Sequence, residues 1–125
     1  MSEKLFFVSG SILGFLGVVI GAFAAHVLKT KLSGEMFNVF EVGARYHMYH
    51  AFALLVVAWA VSTYQIHFFQ IAGWCFISGI FVFSGSLYIL TLTGVKAWGA
   101  VTPIGGLFLL AGWFFLTFGA FKLPQ

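Results

Sequence analysis

One short segment, residues 26–50, holds eight of the thirteen charged or histidine residues of this 125-residue sequence. The eight are His26, Lys29, Lys31, Glu35, Glu41, Arg45, His47 and His50. Imidazole and carboxylate groups can bind a metal ion, hold a haem, or form hydrogen bonds between helices. Any chemistry of this protein is therefore expected to depend on this segment.

Four uses of these histidines compete. His26, His47 and His50, with Glu41 as a fourth ligand, would suit a transition metal, although histidines three residues apart without cysteine are a weak zinc pattern. His26 and His50 could be the axial ligands of a haem, but no other motif indicates a haem pocket. The third use is a site for a small molecule, a lipid or a quinone headgroup. We favour the fourth, hydrogen bonding between helices, and predict neither a metal nor a cofactor.

Catalytic motifs are missing from the sequence. It has no glycine-rich phosphate loop, no Ser/His/Asp arrangement and no pair of carboxylates within the apolar segments, so we predict that the protein is not an enzyme. The six lysine and arginine residues are scattered, which excludes the basic stripe that nucleic-acid binding requires. The expected partners are membrane lipids and either a second copy or another membrane protein.

The composition is that of an integral membrane protein. The chain is 62% hydrophobic and 7% charged, and its mean hydropathy is +1.06. Crossing the hydrocarbon layer takes about 20 apolar residues in a helix, and backbone groups within lipid must bond internally. We predict an all-α membrane four-helix bundle formed by a single domain, residues 1–125, with spans at about 5–28, 46–64, 68–92 and 103–121. The expected location is the cell inner (plasma) membrane, as a multi-pass protein.

The segment between the first two spans is too long for a simple turn. Ser33 is a suitable N-cap with Glu35 in the first turn, and Glu41 with Arg45 is a favourable i, i+4 pair. We therefore predict a short interfacial helix here that runs into the second span. The topology places this segment on the same membrane face as the loop after the third span. Because that face has the larger number of lysines and arginines, the positive-inside rule favours placing it in the cytoplasm.

Glycines occur at helical spacing in the first and fourth spans. Gly10, Gly14, Gly17 and Gly21 form one stripe, and Gly105 and Gly112 are seven residues apart, as are Gly112 and Gly119. Small residues on one face allow close helix contact in lipid, where the hydrophobic effect does not drive association. We predict helix packing within the bundle at these glycines, with an oligomer interface as the alternative.

Several ordered motifs resemble the YgdD/YwdK-like family of small bacterial inner-membrane proteins. They are GAFAAHVLK at 21–29, RYHMYHA at 45–51, FSGSLY at 83–88, TPIGG at 102–106 and GW at 112–113. The resemblance covers nearly the whole chain and implies four spans and a domain of unknown function. The motif residues that stand out are His26, Tyr46, His50, Ser84, Gly85, Tyr88, Thr102 and Pro103. The family often has glycine in place of Ala24 and glutamine in place of His47, which argues against a metal site that needs His47.

The sequence thus predicts a non-enzymatic inner-membrane protein, an accessory or assembly component with glycine-mediated helix contacts and a polar cluster near one membrane face. The alternative is a site for a small molecule, ion, quinone or haem at His26, Arg45 and His50, or transport by an oligomer. The candidate ligand-binding residues are His26, Glu41, Arg45, Tyr46, His47, His50, Ser84, Tyr88 and Thr102.

Overall fold

The computed structural model describes residues 1–125 and contains four long helices and no strand. Helix α1 is Ser2–Lys31 with a π-helical turn at Ala24–Leu28, α2 is Gly34–Tyr64, α3 is His67–Thr93 with a π-helical turn at Ile80–Ser84, and α4 is Thr102–Ala120. A short 3-10 helix, Lys96–Ala100, precedes α4. The all-helical prediction is confirmed.

Three helical segments are long and apolar enough to cross a membrane: Ser2–Lys31, His67–Thr93 and Lys96–Ala120. Helix α2 is not among them because its sequence is less apolar, with His47 and His50 near its centre. It nevertheless has as many buried residues as α3, and His47 and His50 are among them. These two polar side chains therefore face other helices, which the hydropathy of the sequence cannot reveal.

The helix predicted after the first span forms and, as expected, runs into the second predicted span. Its start is as expected, since the Ser33 hydroxyl accepts a hydrogen bond from the Met36 backbone N–H at 3.2 Å. From there α2 continues without a break to Tyr64, because no proline interrupts it and the glycine at 43 is tolerated in a packed helix. The expected ion pair between Glu41 and Arg45 does not form. The only ion pair joins the N-terminal amine to the Glu3 carboxylate.

Two helical hairpins, α1–α2 and α3–α4, form the molecule, and α2 packs against α3 between them. The connection between α2 and α3 is only Gln65 and Ile66, and Gln65 has a left-handed φ of 53° that ends α2. The main core lies between the hairpins and includes Phe6, Leu54 and Phe76, all fully buried. The central helices α2 and α3 are thus covered on several sides, whereas α1 and α4 are more exposed.

Glycines of α4 pack against phenylalanines of α3 at the same seven-residue interval. A Cβ at Gly112 would lie 2.5 Å from the Phe76 ring, and one at Gly119 would lie 2.6 Å from the Phe69 ring. At Gly105 a Cβ would overlap the backbone of Phe83 itself. The antiparallel helices can approach this closely only because these three positions lack side chains.

The glycines of α1 divide into two sets. A Cβ at Gly10 would lie 3.0 Å from the Ala51 carbonyl oxygen of α2, and one at Gly17 would lie 2.8 Å from the Met48 side chain. A Cβ at Gly14 or at Gly21 would meet nothing within 4 Å. The glycine stripe of α1 therefore packs against α2 at Gly10 and Gly17, whereas Gly14 and Gly21 have open space beside them.

We predict that Gly105→Ala lowers the stability of the protein by about 1–3 kcal/mol, since the added methyl group has no room at the α3 backbone. The matched control is Gly106→Ala on the same helix, where a Cβ would lie 3.8 Å from the Phe83 ring and fits. Both changes improve helix propensity equally. Thermal unfolding of the two variants in one detergent measures the difference, and equal melting temperatures would contradict the close contact at Gly105.

Candidate functional site

The candidate site is a set of hydrogen-bonded polar side chains centred on His47 and His50 of α2. Both histidines are buried, at 3% and 4% exposed. They are one helical turn apart but point to different neighbours: His47 contacts α1 and α3, whereas His50 contacts α4. Helix α2 is therefore bonded through side chains to every other long helix.

His47 joins three helices. Its Nε2 lies 2.7 Å from the Leu13 carbonyl oxygen of α1, and its Nδ1 lies 2.9 Å from the Tyr88 hydroxyl of α3. A carbonyl oxygen can only accept, so Nε2 carries the proton and donates. In the neutral ring Nδ1 then accepts from the Tyr88 hydroxyl. A neutral imidazole in the Nε2–H form satisfies both contacts.

His50 has the opposite tautomer. Its Nδ1 lies 2.6 Å from the Tyr46 carbonyl oxygen, one turn earlier in α2, and must therefore donate. Its Nε2 accepts a hydrogen bond of 3.0 Å from the Trp113 indole N–H, a group that can only donate. The second histidine is thus also neutral, and it fixes the position of the Trp113 ring on α4.

Two serines of α3 extend the set on either side. The buried Ser84 hydroxyl donates a hydrogen bond of 2.6 Å to the Gly43 carbonyl oxygen of α2. Ser86 and Thr102 join their hydroxyls at 2.6 Å, which connects α3 to the first turn of α4. Ser84 ends the π-helical turn Ile80–Ser84, so this turn meets Gly43 on one side and Gly105 on the other.

The absence of a side chain at Gly43 makes these contacts close. A Cβ there would lie 3.1 Å from the Tyr88 ring and 3.2 Å from the Leu87 Cβ. The Tyr88 ring can therefore lie against α2, where its hydroxyl reaches His47. Gly43 was not singled out in the sequence as a packing residue, and its position one turn before His47 is the only signal that could have identified it.

The chemistry open to this site is limited because its polar atoms are already paired. Both ring nitrogens of His47 and of His50 are used in hydrogen bonds, so neither imidazole has a free lone pair for a metal. No buried side-chain nitrogen or oxygen lacks a partner, and no group of three or more His, Cys, Asp or Glu residues is placed to hold a metal ion. The arrangement joins helices and leaves no imidazole or buried hydroxyl of this set without a partner.

The other predicted site residues lie apart from this buried set. His26 and Arg45 are exposed. The side chains of His26, Glu41 and Arg45 make no hydrogen bond and no ion pair. Tyr46 is 43% exposed, with its ring 5.0 Å from that of Phe83. The structure thus brings His47, His50, Ser84, Tyr88 and Thr102 into interhelical hydrogen bonds, whereas His26, Glu41 and Arg45 remain outside them.

Sequence reasoning missed two partners of the histidines. Trp113 is not among the predicted site residues, and the Leu13 carbonyl carries no side-chain signal at all. A tryptophan on an apolar helix whose N–H needs an acceptor could have indicated a buried imidazole. A backbone acceptor can be identified only from the three-dimensional arrangement.

We predict that His47→Gln keeps the stability of the protein, because an amide offers one donor for Leu13 and one acceptor for Tyr88. His47→Leu, the matched apolar change, should lose about 1–3 kcal/mol because it leaves the Tyr88 hydroxyl without a partner. Unfolding of both variants in one detergent tests this. A loss in His47→Gln as large as that in His47→Leu would mean that the site needs an imidazole.

Known proteins resemble this chain over nearly its full length. The UPF0382 membrane protein SH2409 of Staphylococcus haemolyticus is 43% identical over 119 residues, which are 95% of this chain and 97% of the relative. The UPF0382 membrane protein YwdK of Bacillus subtilis is 41% identical over 120 residues, which are 95% of this chain and 98% of the relative. No solved structure matches the chain.

The family resemblance expected from the sequence is confirmed by these relatives. The family described as "Protein of unknown function (DUF423)" matches residues 20–106, a range that includes the buried histidines, the His47 partner Tyr88, and Ser84. Both relatives carry the description of a membrane protein, in agreement with the three long apolar helices. The chain belongs to the DUF423 family of small bacterial membrane proteins.

Proposed function

We propose that this chain is a non-enzymatic, four-span protein of the inner membrane that acts as an accessory or assembly component. The observation that carries the proposal is the complete internal pairing of the buried polar groups, above all the four ring nitrogens of His47 and His50. Such pairing stabilises one arrangement of the helices. It leaves the outer surface of the bundle as the part that can act on other molecules.

The four-span arrangement is supported by the position of α2. This helix runs antiparallel to α3 after a connection of only Gln65 and Ile66, and the two helices pack side by side. If α3 crosses the bilayer, α2 must cross with it. The exposed side of α2 suits lipid, because it presents Phe52, Val56 and Trp59, each at least 50% exposed.

The topology can be tested with single cysteines introduced after Cys75→Ser. We predict that Lys31→Cys and Lys96→Cys react with a membrane-impermeant maleimide from the cytoplasmic face, and that Gln65→Cys reacts only from the opposite face. Right-side-out and inside-out vesicles provide the two exposures. Labelling of positions 31 and 65 from the same face would overturn the four-span arrangement, whereas reversed labelling of all three would overturn only the orientation.

The exposed side of α1 supports an assembly role. A Cβ at Gly14 or Gly21 would meet nothing within 4 Å, and the neighbouring Phe15 and Val18 are 69% and 64% exposed. An apolar helix face with open glycines permits close approach of another transmembrane helix. The partner helix belongs to a second copy of this chain or to another membrane protein.

We predict that Gly14→Leu and Gly17→Leu have different effects, although the two glycines are only three residues apart. Gly17→Leu should destabilise the fold, because its side chain would overlap Met48. Gly14→Leu should keep the melting temperature and weaken association. Copy number by native mass spectrometry and thermal unfolding in the same detergent separate these effects. A copy number unchanged by Gly14→Leu would remove α1 as the interface between copies.

The alternative site at His26, Arg45 and His50 has less support. His26 and Arg45 make no polar contact, and Nε2 of His50 is already bonded to Trp113. A haem or metal would have to displace that bond. Ligand transport by an oligomer would also need an ionisable group free inside the bundle, and the buried histidines are both engaged.

A further inference from the structure

A groove with a volume of about 440 Å³ lies between the α2 and α4 helices on the outside of the molecule, and Phe83 of α3 forms part of its wall. Its lining is mostly apolar and includes Tyr46, His50, Leu110 and Trp113. No part of the chain fills it. It is distinct from the buried hydrogen bonds, although His50 contributes to both.

The groove is formed by side chains that are held in place. The Tyr46 ring packs on Phe83 with the centroids 5.0 Å apart, and the Trp113 indole is held by its hydrogen bond of 3.0 Å to His50. Between these two aromatic walls, Gly106 provides open space, because a Cβ there would lie no nearer than 3.8 Å to Phe83. Two walls of the cavity are therefore held by contacts within the fold.

The depth of the groove matches a single leaflet, an inference that rests on the proposed four-span arrangement. Trp113 lies about 16 Å along α4 from Thr102, at about 1.5 Å per residue. The hydrocarbon core is about 30 Å thick. A groove that extends from near the membrane surface to about the midplane suits one acyl chain, whereas a partner helix would contact α2 and α4 over the full thickness.

Under the proposed four-span arrangement, unpaired positive charge lies on the membrane face nearest to the Tyr46 and Gly106 end of the groove. Arg45 directly precedes Tyr46, is exposed, and makes no ion pair. Lys96, in the 3-10 helix that leads into α4, is also exposed and unpaired. The residues of this membrane face carry four cations, Lys29, Lys31, Arg45 and Lys96, against two acids, Glu35 and Glu41.

We propose that this groove binds an anionic phospholipid, with one acyl chain between Tyr46 and Trp113 and the phosphate on Arg45 and Lys96. Basic pockets between transmembrane helices bind acidic headgroups, and the guanidinium group matches phosphate geometry. The aromatic walls supply apolar contact along the chain. The bound lipid would extend the surface that the protein presents to its membrane neighbours.

Native mass spectrometry of the full chain tests this proposal. The protein is equilibrated in mixed micelles with equal amounts of phosphatidylglycerol and phosphatidylcholine that have identical acyl chains. We expect the wild-type chain to retain one phosphatidylglycerol in preference to phosphatidylcholine. Arg45→Gln should reduce that preference about fivefold, and Gly106→Leu should abolish retention of both lipids because the new side chain fills the groove.

The control is Gly34→Leu, since Gly34 is an exposed position at the start of α2, where a Cβ would meet nothing within 4 Å, and it does not line the groove. It should retain lipid as the wild type does, and the melting temperature of each variant shows that it is folded. Equal retention of the two lipids by the wild type, or undiminished retention by folded Gly106→Leu, would overturn the site. Should Gly106→Leu fail to fold, the preference in Arg45→Gln decides alone. These outcomes leave the topology untouched, whereas cysteine labelling decides the topology without reference to lipid.

Discussion

The hydrogen bonds of His47 are the interaction on which the arrangement of the helices depends. One imidazole bonds to the Leu13 carbonyl of α1 and to the Tyr88 hydroxyl of α3, so a single side chain of α2 connects both hairpins. Within lipid no water can replace a lost partner, and an unpaired polar group costs several kcal/mol. The helices must therefore meet at the distance and rotation that satisfy this ring, which places α2 at the centre of the bundle.

Close packing makes these bonds geometrically available. Gly43 lets the Tyr88 ring approach α2, and Gly105 lets α4 contact the backbone of α3 beside the Ser84 hydrogen bond. In lipid the attraction between apolar helices comes from packing and from interhelical hydrogen bonds. The glycines and the polar contacts therefore depend on each other. These hydrogen bonds require a short distance between the helices, and the glycines beside them permit it.

The histidines and the arginine of the predicted polar cluster differ in whether they lie buried between helices or exposed on the surface. His47 and His50 are buried and paired on α2, whereas His26 and Arg45 were expected in one polar cluster with them and remain exposed without a partner. The sequence predicts a similar depth in the membrane for all four residues, near one face. The direction of each side chain around its helix decides whether it bonds to a neighbouring helix or faces headgroups and partners.

Sequence alone determined the membrane class, the helical content, the N-cap at Ser33 and the glycine spacing of α4, because these follow from composition and local periodicity. It could not show that Glu41 and Arg45 stay unpaired on α2, nor that Gly17 packs while Gly14 is open. Tertiary structure alone decided the partners of the histidines. One is a backbone carbonyl and another a tryptophan 63 residues away, and only the packing of the four helices brings such groups together.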